Sequence, residues 1–424
     1  MRFLNWKKTF PTRWSELKLV CRNCGSEYPN ELRNVCDKCL GALDVVYEEV
    51  ADGLRGRIAS SHVRGVWRYA ELLPVEERHR VDIGAGGTAL VHARELGRVI
   101  GVRNLYIKND TTNPSFSFKD RPASVAVSKA REFGLRIVGC ASTGNLASAT
   151  VAHAVAAGLT GFVLMPDTVE LPKVRQASIY GGKVILVDGT YDDVNRLAYL
   201  LVDTAEVGIV NVNLRPFYVE GSKTMMFETV EALGWRAPQH IVVPMASGAL
   251  FGALYKGLHE LEAFGAISDA DTVFHGVQPT GCSPISTAFE KGADEVTPVR
   301  KPETLVKSLA IGNPGDGIYA LNVARKTGGT CQKVSDDETV EAVKLLAKYT
   351  GIFAEPGGAI TVAAVKQMRE NGVIDAGDEV VCCVTGAGFK VDEVVEQVSG
   401  PAYVVPARLD KILETLQTNQ PLSH

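Results

Sequence analysis

Apolar and polar positions along this chain follow two rhythms. Short apolar runs bounded by Gly, Pro or Asp read as strands, and longer stretches with apolar residues three to four apart read as helices. The predicted strands are NLYIK (Asn104–Lys108), RIVGCA (Arg136–Ala141), GFVLM closed by Pro166, KVILVD and GIVNV. Between them the spacing predicts helices over Lys119–Phe133, stopped at Gly134, over Asn145–Ala157, near Lys173–Tyr180 and over Glu220–Leu233. Thr190 is placed to cap another helix, with Asp193 in its first turn. The rhythm resumes with HIVVP (His240–Pro244), a helix from about Gly248, TVFHGV (Thr272–Val277) and DEVVCCV (Asp378–Val384). Ser335-Asp336-Asp337-Glu338 has capping-box spacing and opens a helix with apolar Val340, Val343 and Leu346. The pattern over Ala51–Arg80 is mixed and predicts no clear element. Strands alternating with helices predict an α/β fold, and unbroken apolar strands predict mostly parallel sheets buried on both faces.

Composition narrows the picture. A length of 424 residues suits two or three domains, and 46% hydrophobic with 22% charged residues is ordinary for a globular chain. The net charge of −4 shows no basic excess, which argues against nucleic acid as the main partner. No apolar run approaches the ~18 residues of a membrane span. The opening run MRFLNWKKTFPTRW has no apolar core of a signal peptide, so the expectation is a cytoplasmic protein with no membrane partner. Of nine cysteines, Cys140, Cys282, Cys331, Cys382 and Cys383 sit in apolar stretches and read as small buried hydrophobes. The other four form two Cys-x2-Cys pairs, Cys21 with Cys24 and Cys36 with Cys39, separated by eleven residues and followed by Gly25 and Gly41. Four thiolates in tetrahedral array suit zinc, so a structural zinc ribbon is expected in a module spanning 1–50. With no evident further ligand the site is closed rather than catalytic, and a packing or interface role is expected.

Four strand-to-helix turns carry candidate chemistry. Lys119, in Ser117-Phe118-Lys119-Asp120, stands at the mouth of a helix. An amine there can anchor an aldehyde cofactor if its surroundings allow, although an isolated lysine reads as a solvated one. Ser142, Thr143, Gly144 and Asn145 follow a strand and precede a helix. Their N–H groups could hold a carboxylate and Asn145 could donate to a ring oxygen; a plain N-cap turn reads as well. Pro244–Gly252 is a small-residue turn in which the backbone could approach a phosphate, though it matches neither a Walker motif nor GxGxxG. Thr385, in VTGAGFK, offers a hydroxyl to a pyridine nitrogen, or is a turn threonine. All four lie at the carboxyl ends of strands, where α/β sheets bind ligands.

Taken in order, NPSFSFKDR, STGNLA, NVNLRPFYVEGSKT (Asn211–Thr224), VVPMASGALF, SLAIGNPGDG (Ser308–Gly317) and VTGAGFK span most of Asp82–Lys390. Together they resemble the pyridoxal-phosphate enzymes of the tryptophan-synthase-β fold, and specifically the bacterial threonine synthases. The resemblance implies two open, mostly parallel twisted-sheet domains beside the four-cysteine module. The large cofactor-binding domain would comprise 51–118 and 225–424, and the small mobile domain 119–224. It implies that Lys119 forms the Schiff base with pyridoxal phosphate and that Asn145 contacts the phenolic oxygen. Ser247, Gly248, Ala249 and Leu250 would cup the cofactor phosphate, and Thr385 would face the ring nitrogen. Ser142 and Thr143 would receive the substrate carboxylate. Arg215 would hold the substrate phosphate, with Asn213 and Lys223 as weaker candidates.

The implied activity is a lyase reaction of threonine biosynthesis, turning O-phosphohomoserine and water into L-threonine and phosphate, in a cytoplasmic homodimer. A threonine or serine dehydratase, or an O-phosphoserine-using synthase, would share fold and cofactor. A zinc-ribbon regulatory protein with a vestigial enzyme domain is the non-enzyme alternative. Three departures bear on the substrate more than on the cofactor. The family's E-G-x-T-P-L run stands here as Gly84–Leu90, without its Glu and Pro and with Ala85 and Ala89. The Glu355-Pro356 segment is not of the commonest form. Ser247 and Leu250 replace asparagines found in other branches.

Overall fold

The computed structural model describes residues 17–47, 50–169, 171–391 and 395–417, save 396 and 401. The opening run read for a signal peptide lies outside them. Strands β1 (Lys18–Cys21), β2 (Glu27–Pro29) and β3 (Leu43–Val46) form a small antiparallel sheet in the order β2-β1-β3. Strands β4 (Leu90–His92) and β5 (Asn104–Asn109) belong to a six-stranded sheet. Strands β6 (Ile137–Ala141), β7 (Thr160–Pro166), β8 (Lys183–Val187) and β9 (Gly208–Ile209) make a parallel sheet in the order β8-β7-β6-β9. The six-stranded sheet is completed by β10 (His240–Pro244), β11 (Val273–Pro279), β12 (Cys331–Val334) and β13 (Glu379–Val384), in the order β12-β11-β10-β13-β5-β4. All its pairings are parallel except β4 against β5.

The strongest apolar strands take the centre of this sheet. Every residue of β10 and all but the first of β13 are buried. Helices cover both faces, as an unbroken apolar run requires. The five cysteines outside the N-terminal module are free and buried, as expected, and burial pushes the Cys140, Cys331 and Cys382 thiols up to about 12. Both caps form: Thr190 with Asp193, and Ser335 with Glu338, each exchange side-chain and backbone hydrogen bonds. Among the described residues no helix is long and apolar enough to cross a membrane.

The structure departs from the sequence expectation in places. The stretch predicted as one helix over Glu220–Leu233 is two, Arg215–Ser222 and Thr224–Ala232, meeting at Lys223. The first opens with Pro216 in its initial turn, where a missing N–H is harmless. Ala51–Arg80 contains a short helix, Leu54–Ser60, and a 3-10 segment, Val66–Leu72. The Pro356–Glu370 helix escaped notice because Gly357 and Gly358 look like a turn. They are there for close approach: a Cβ on Gly358 would lie 2.7 Å from the Thr385 nitrogen.

A fully buried ion cluster locks the start of the Asp120–Glu132 helix. Arg121 forks onto Asp110 at 2.6 and 2.9 Å and onto Glu228 at 2.8 and 2.6 Å. Lys108 reaches Glu228 at 2.6 Å, and the Gly87 N–H does so at 2.7 Å. Thr88 adds a hydroxyl bond to Asp110 at 2.6 Å. The run that departs from the family's E-G-x-T-P-L pattern thus closes this cluster.

Burial pushes the Glu228 carboxyl up, but Arg121 and Lys108 overcome it and hold it well below the usual range. Glu228→Gln would leave two buried cations short of a partner, so we expect a loss of about 3–5 kcal/mol at neutral pH, read by chemical denaturation. A depressed carboxyl contributes stability that is present above its unfolded value of about 4.3 and is lost as pH falls through the folded value. Denaturation midpoints taken from neutral to acid pH should therefore decline in the parent protein and decline less in the variant.

Candidate active site

Lys119 precedes the Asp120–Glu132 helix, and its loop is held from two sides. Asp120 accepts hydrogen bonds from the Ser115 N–H and hydroxyl, both at 2.8 Å, and faces His153 Nε2 at 3.2 Å. The Phe118 N–H donates to the Thr385 carbonyl at 2.8 Å, and the Ala387 N–H to the Phe116 carbonyl at 3.0 Å. Lys119 and Thr385 are thereby brought to one cavity. It has a volume of about 480 Å³ and lies at the carboxyl ends of β6, β10 and β13.

Ten sequence-predicted residues line this cavity: Lys119, Ser142, Thr143, Asn145, Arg215, Ser247, Gly248, Ala249, Leu250 and Thr385. Two do not, and their substrate-facing reading is corrected. Asn213 turns its amide inward, donating to the Val207 carbonyl at 2.9 Å and accepting from the Ile209 N–H at 2.7 Å. Lys223 is fully buried, with its amine 2.6 Å from both Glu220 and Glu260. Sharing a motif with Arg215 said nothing about which way these side chains face.

Other lining residues were missed. The Lys119 amine donates to the Tyr218 hydroxyl at 2.9 Å. Arg215, Tyr218, Val219 and Ser222 all line the cavity from one helix, and their three- and four-residue spacing could have revealed that face. Asn211 brackets the Ala141 backbone, accepting from its N–H and donating to its carbonyl, both at 3.3 Å, and so fixes the Ser142–Asn145 turn. Lys307 opens a 3-10 turn, Lys307–Leu309, one residue ahead of the SLAIGNPGDG run. Glu355 is 4% exposed and accepts from Asn145 Nδ2 at 2.9 Å. Burial pushes its carboxyl up, against the opposing hydrogen bond from Asn145.

These residues fit a pyridoxal phosphate. The set supplies an amine, an amide whose second N–H is uncommitted by the Glu355 bond, a hydroxyl on Thr385 and a phosphate-sized helix entrance. The entrance is built on Gly248, whose φ of +89° starts the Ala249–Ala263 helix and leaves its first N–H groups facing the cavity. Asp316 braces the turn through its backbone, donating its N–H to the Ser247 carbonyl at 2.9 Å.

Comparison with known proteins agrees. The family described as pyridoxal-phosphate dependent enzyme matches residues 81–386. Fold and site thus define a pyridoxal-phosphate-dependent enzyme. A threonine synthase of Methanocaldococcus jannaschii is 38% identical over 375 residues, covering 87% of this chain and 92% of that protein. One from Methanosarcina acetivorans is 38% identical over 400 residues, covering 94% and 98%. The chain belongs to the threonine synthase family. Among solved structures, the processed form of threonine deaminase isoform 2 from Solanum lycopersicum superposes with a TM-score of 0.62 at 22% identity, covering 73% of this chain and 87% of that one. Maize serine racemase gives 0.60 at 18%, covering 73% and 91%. At such identities the likeness is one of fold.

Gly248→Ala tests the phosphate cup. A side chain in this left-handed conformation is strained by about 1–2 kcal/mol, and the new Cβ would sit 2.9 Å from the Asp316 carbonyl oxygen. We expect the cofactor to dissociate roughly five- to thirtyfold more readily, measured by equilibrium titration with pyridoxal phosphate.

Proposed function

We propose that the chain converts O-phosphohomoserine and water into L-threonine and phosphate. One observation carries the substrate reading. Two cations besides Lys119, namely Arg215 and Lys307, line the same cavity. A dehydratase acting on serine or threonine has no phosphate for them to meet.

When bound, the cofactor supplies an electron sink for negative charge developing at the substrate Cα. The chain's own residues do the rest. Lys119 would hold the cofactor covalently, and its amine, when free, is placed to take the Cα proton. The Tyr218 hydroxyl orients that amine through their 2.9 Å hydrogen bond. Ser142, Thr143 and the N–H groups at the start of the Asn145–Ala156 helix receive the substrate carboxylate. Arg215 and Lys307 hold the phosphate at Cγ and carry its charge as the C–O bond breaks. Departure of the phosphate from Cγ also takes one of the two Cβ protons; water then adds at Cβ, and protons return to Cγ and Cα, which balances the overall reaction. Asn145 and Thr385 would address the ring oxygen and ring nitrogen, and Ser247–Leu250 would hold the cofactor phosphate.

The four-cysteine module belongs to the same reading. The thiols of Cys21, Cys24, Cys36 and Cys39 all lie within 4.8 Å of one another, and this supports a structural zinc ion. A homodimer in the cytoplasm rests on the family resemblance, and sedimentation velocity tests the dimer.

Borohydride reduction of the holoenzyme followed by peptide mapping should fix the cofactor on Lys119, and Lys119→Ala should lose both the label and threonine formation. Full activity in that variant would end the reading. Arg215→Ala should raise KM for O-phosphohomoserine by about tenfold or more, with a smaller change in kcat. Elemental analysis should find about one zinc per chain, absent from a Cys21→Ser, Cys24→Ser protein.

A further inference from the structure

The four-cysteine module reaches the catalytic cavity through one side chain. Arg22 directly follows Cys21 and is 8% exposed. It forks onto Asp44 of the same module, with Nε at 2.6 Å and Nη2 at 2.7 Å. Its remaining Nη1 crosses to Asp316 Oδ1 at 2.7 Å, and its guanidinium lies 4.4 Å from the centre of the Tyr319 ring. The other oxygen of Asp316 is held by Arg215. Asp316 is 3% exposed, so its pair with Arg22 is buried, while Arg215 on its other side opens to the cavity. The chain Asp44–Arg22–Asp316–Arg215 therefore runs from the module to the proposed substrate-phosphate site.

The geometry has a definite consequence for Arg215. A carboxylate facing one arginine takes the bidentate fork. Here Asp316 offers Arg215 only one oxygen, because Arg22 occupies the other. Among the described residues, the Arg215 guanidinium has no second side-chain partner. Its uncommitted N–H groups stay available at the cavity wall. Arg22 also offsets the negative charge of Asp316, which would otherwise oppose an incoming phosphate. The module also packs on the Arg215-bearing helix, where Tyr47 donates to Glu220, and on the Ala249–Ala263 helix, where Lys256 binds the Val45 carbonyl at 2.7 Å.

We propose that Arg22 is a positioning residue for substrate-phosphate recognition, acting through Asp316 on Arg215. This rests on the reading of Arg215 as the phosphate-binding arginine. The four-cysteine module is then part of the substrate-recognition apparatus, although none of its residues touches the cavity.

The test is orthophosphate binding to the holoenzyme by isothermal titration calorimetry, alongside KM and kcat. Arg22→Ala should weaken orthophosphate binding and raise KM by about five- to tenfold, with kcat and the cofactor absorbance nearly unchanged. Arg22→Lys, which keeps the charge but cannot bridge both aspartates, should give a smaller loss and guards against a folding defect in the alanine variant. In an Asp316→Asn background, Arg22→Ala should have little further effect on orthophosphate binding, because the competing carboxylate is gone. A purely structural role would instead give the same loss in both backgrounds, and that result would overturn the proposal. So would wild-type orthophosphate binding in Arg22→Ala while Arg215→Ala is impaired. If Arg215→Ala itself bound orthophosphate normally, the assignment of Arg215 would fall first.

Discussion

The buried pairing of Arg121 with Asp110 and Glu228 is the constraint on which the site depends. Arg121 stands two residues after Lys119 and has no exposed surface. Its partners come from the end of β5 and from the Thr224–Ala232 helix, and the Gly86–Thr88 loop closes over them. A guanidinium with both forks filled has a fixed plane. The first turn of the Asp120–Glu132 helix inherits that direction, and so does the amine that precedes it. Taking these charges out of water is expensive, and only their mutual satisfaction makes the arrangement stable. Lys119 itself can then remain lightly tethered, held by the Tyr218 hydroxyl rather than a carboxylate.

Charge is distributed unevenly around the cavity. Three cations line it, and the one carboxyl among the lining residues, Glu355, is pushed by burial toward its neutral form. The balance favours a doubly anionic ligand, such as an amino acid bearing a phosphate beside a phosphorylated cofactor. The buried Asp316 is kept from spoiling this balance by sharing its charge between two arginines.

Much of this was legible in the sequence, for identifiable reasons. Strands β6, β10 and β13 announced themselves through nearly unbroken apolar runs, as a doubly covered parallel strand requires. The Thr190 and Ser335 helices announced themselves through their caps. The turns at Asn145, Ser247 and Thr385 were found because small residues at strand ends have few other uses. What escaped was decided by tertiary contact. Strand β4 is three residues long and borrows its register from β5. Tyr218, Lys307 and Glu355 reach the cavity only because three distant segments converge there. Asn213 and Lys223 were misread for the same reason: adjacency to Arg215 in sequence does not share its direction, and each has a buried partner instead.

The bridge from Arg22 to Asp316 spans 294 positions of sequence. During synthesis the module leaves the ribosome before its partner, which stands at the start of the Gly317–Lys326 helix. Contacts of such separation form late, since the intervening loop must first be ordered. Lys119, Asn145 and Ser247 are thus all made before this bridge can form, whereas the Thr385 turn follows both of its ends.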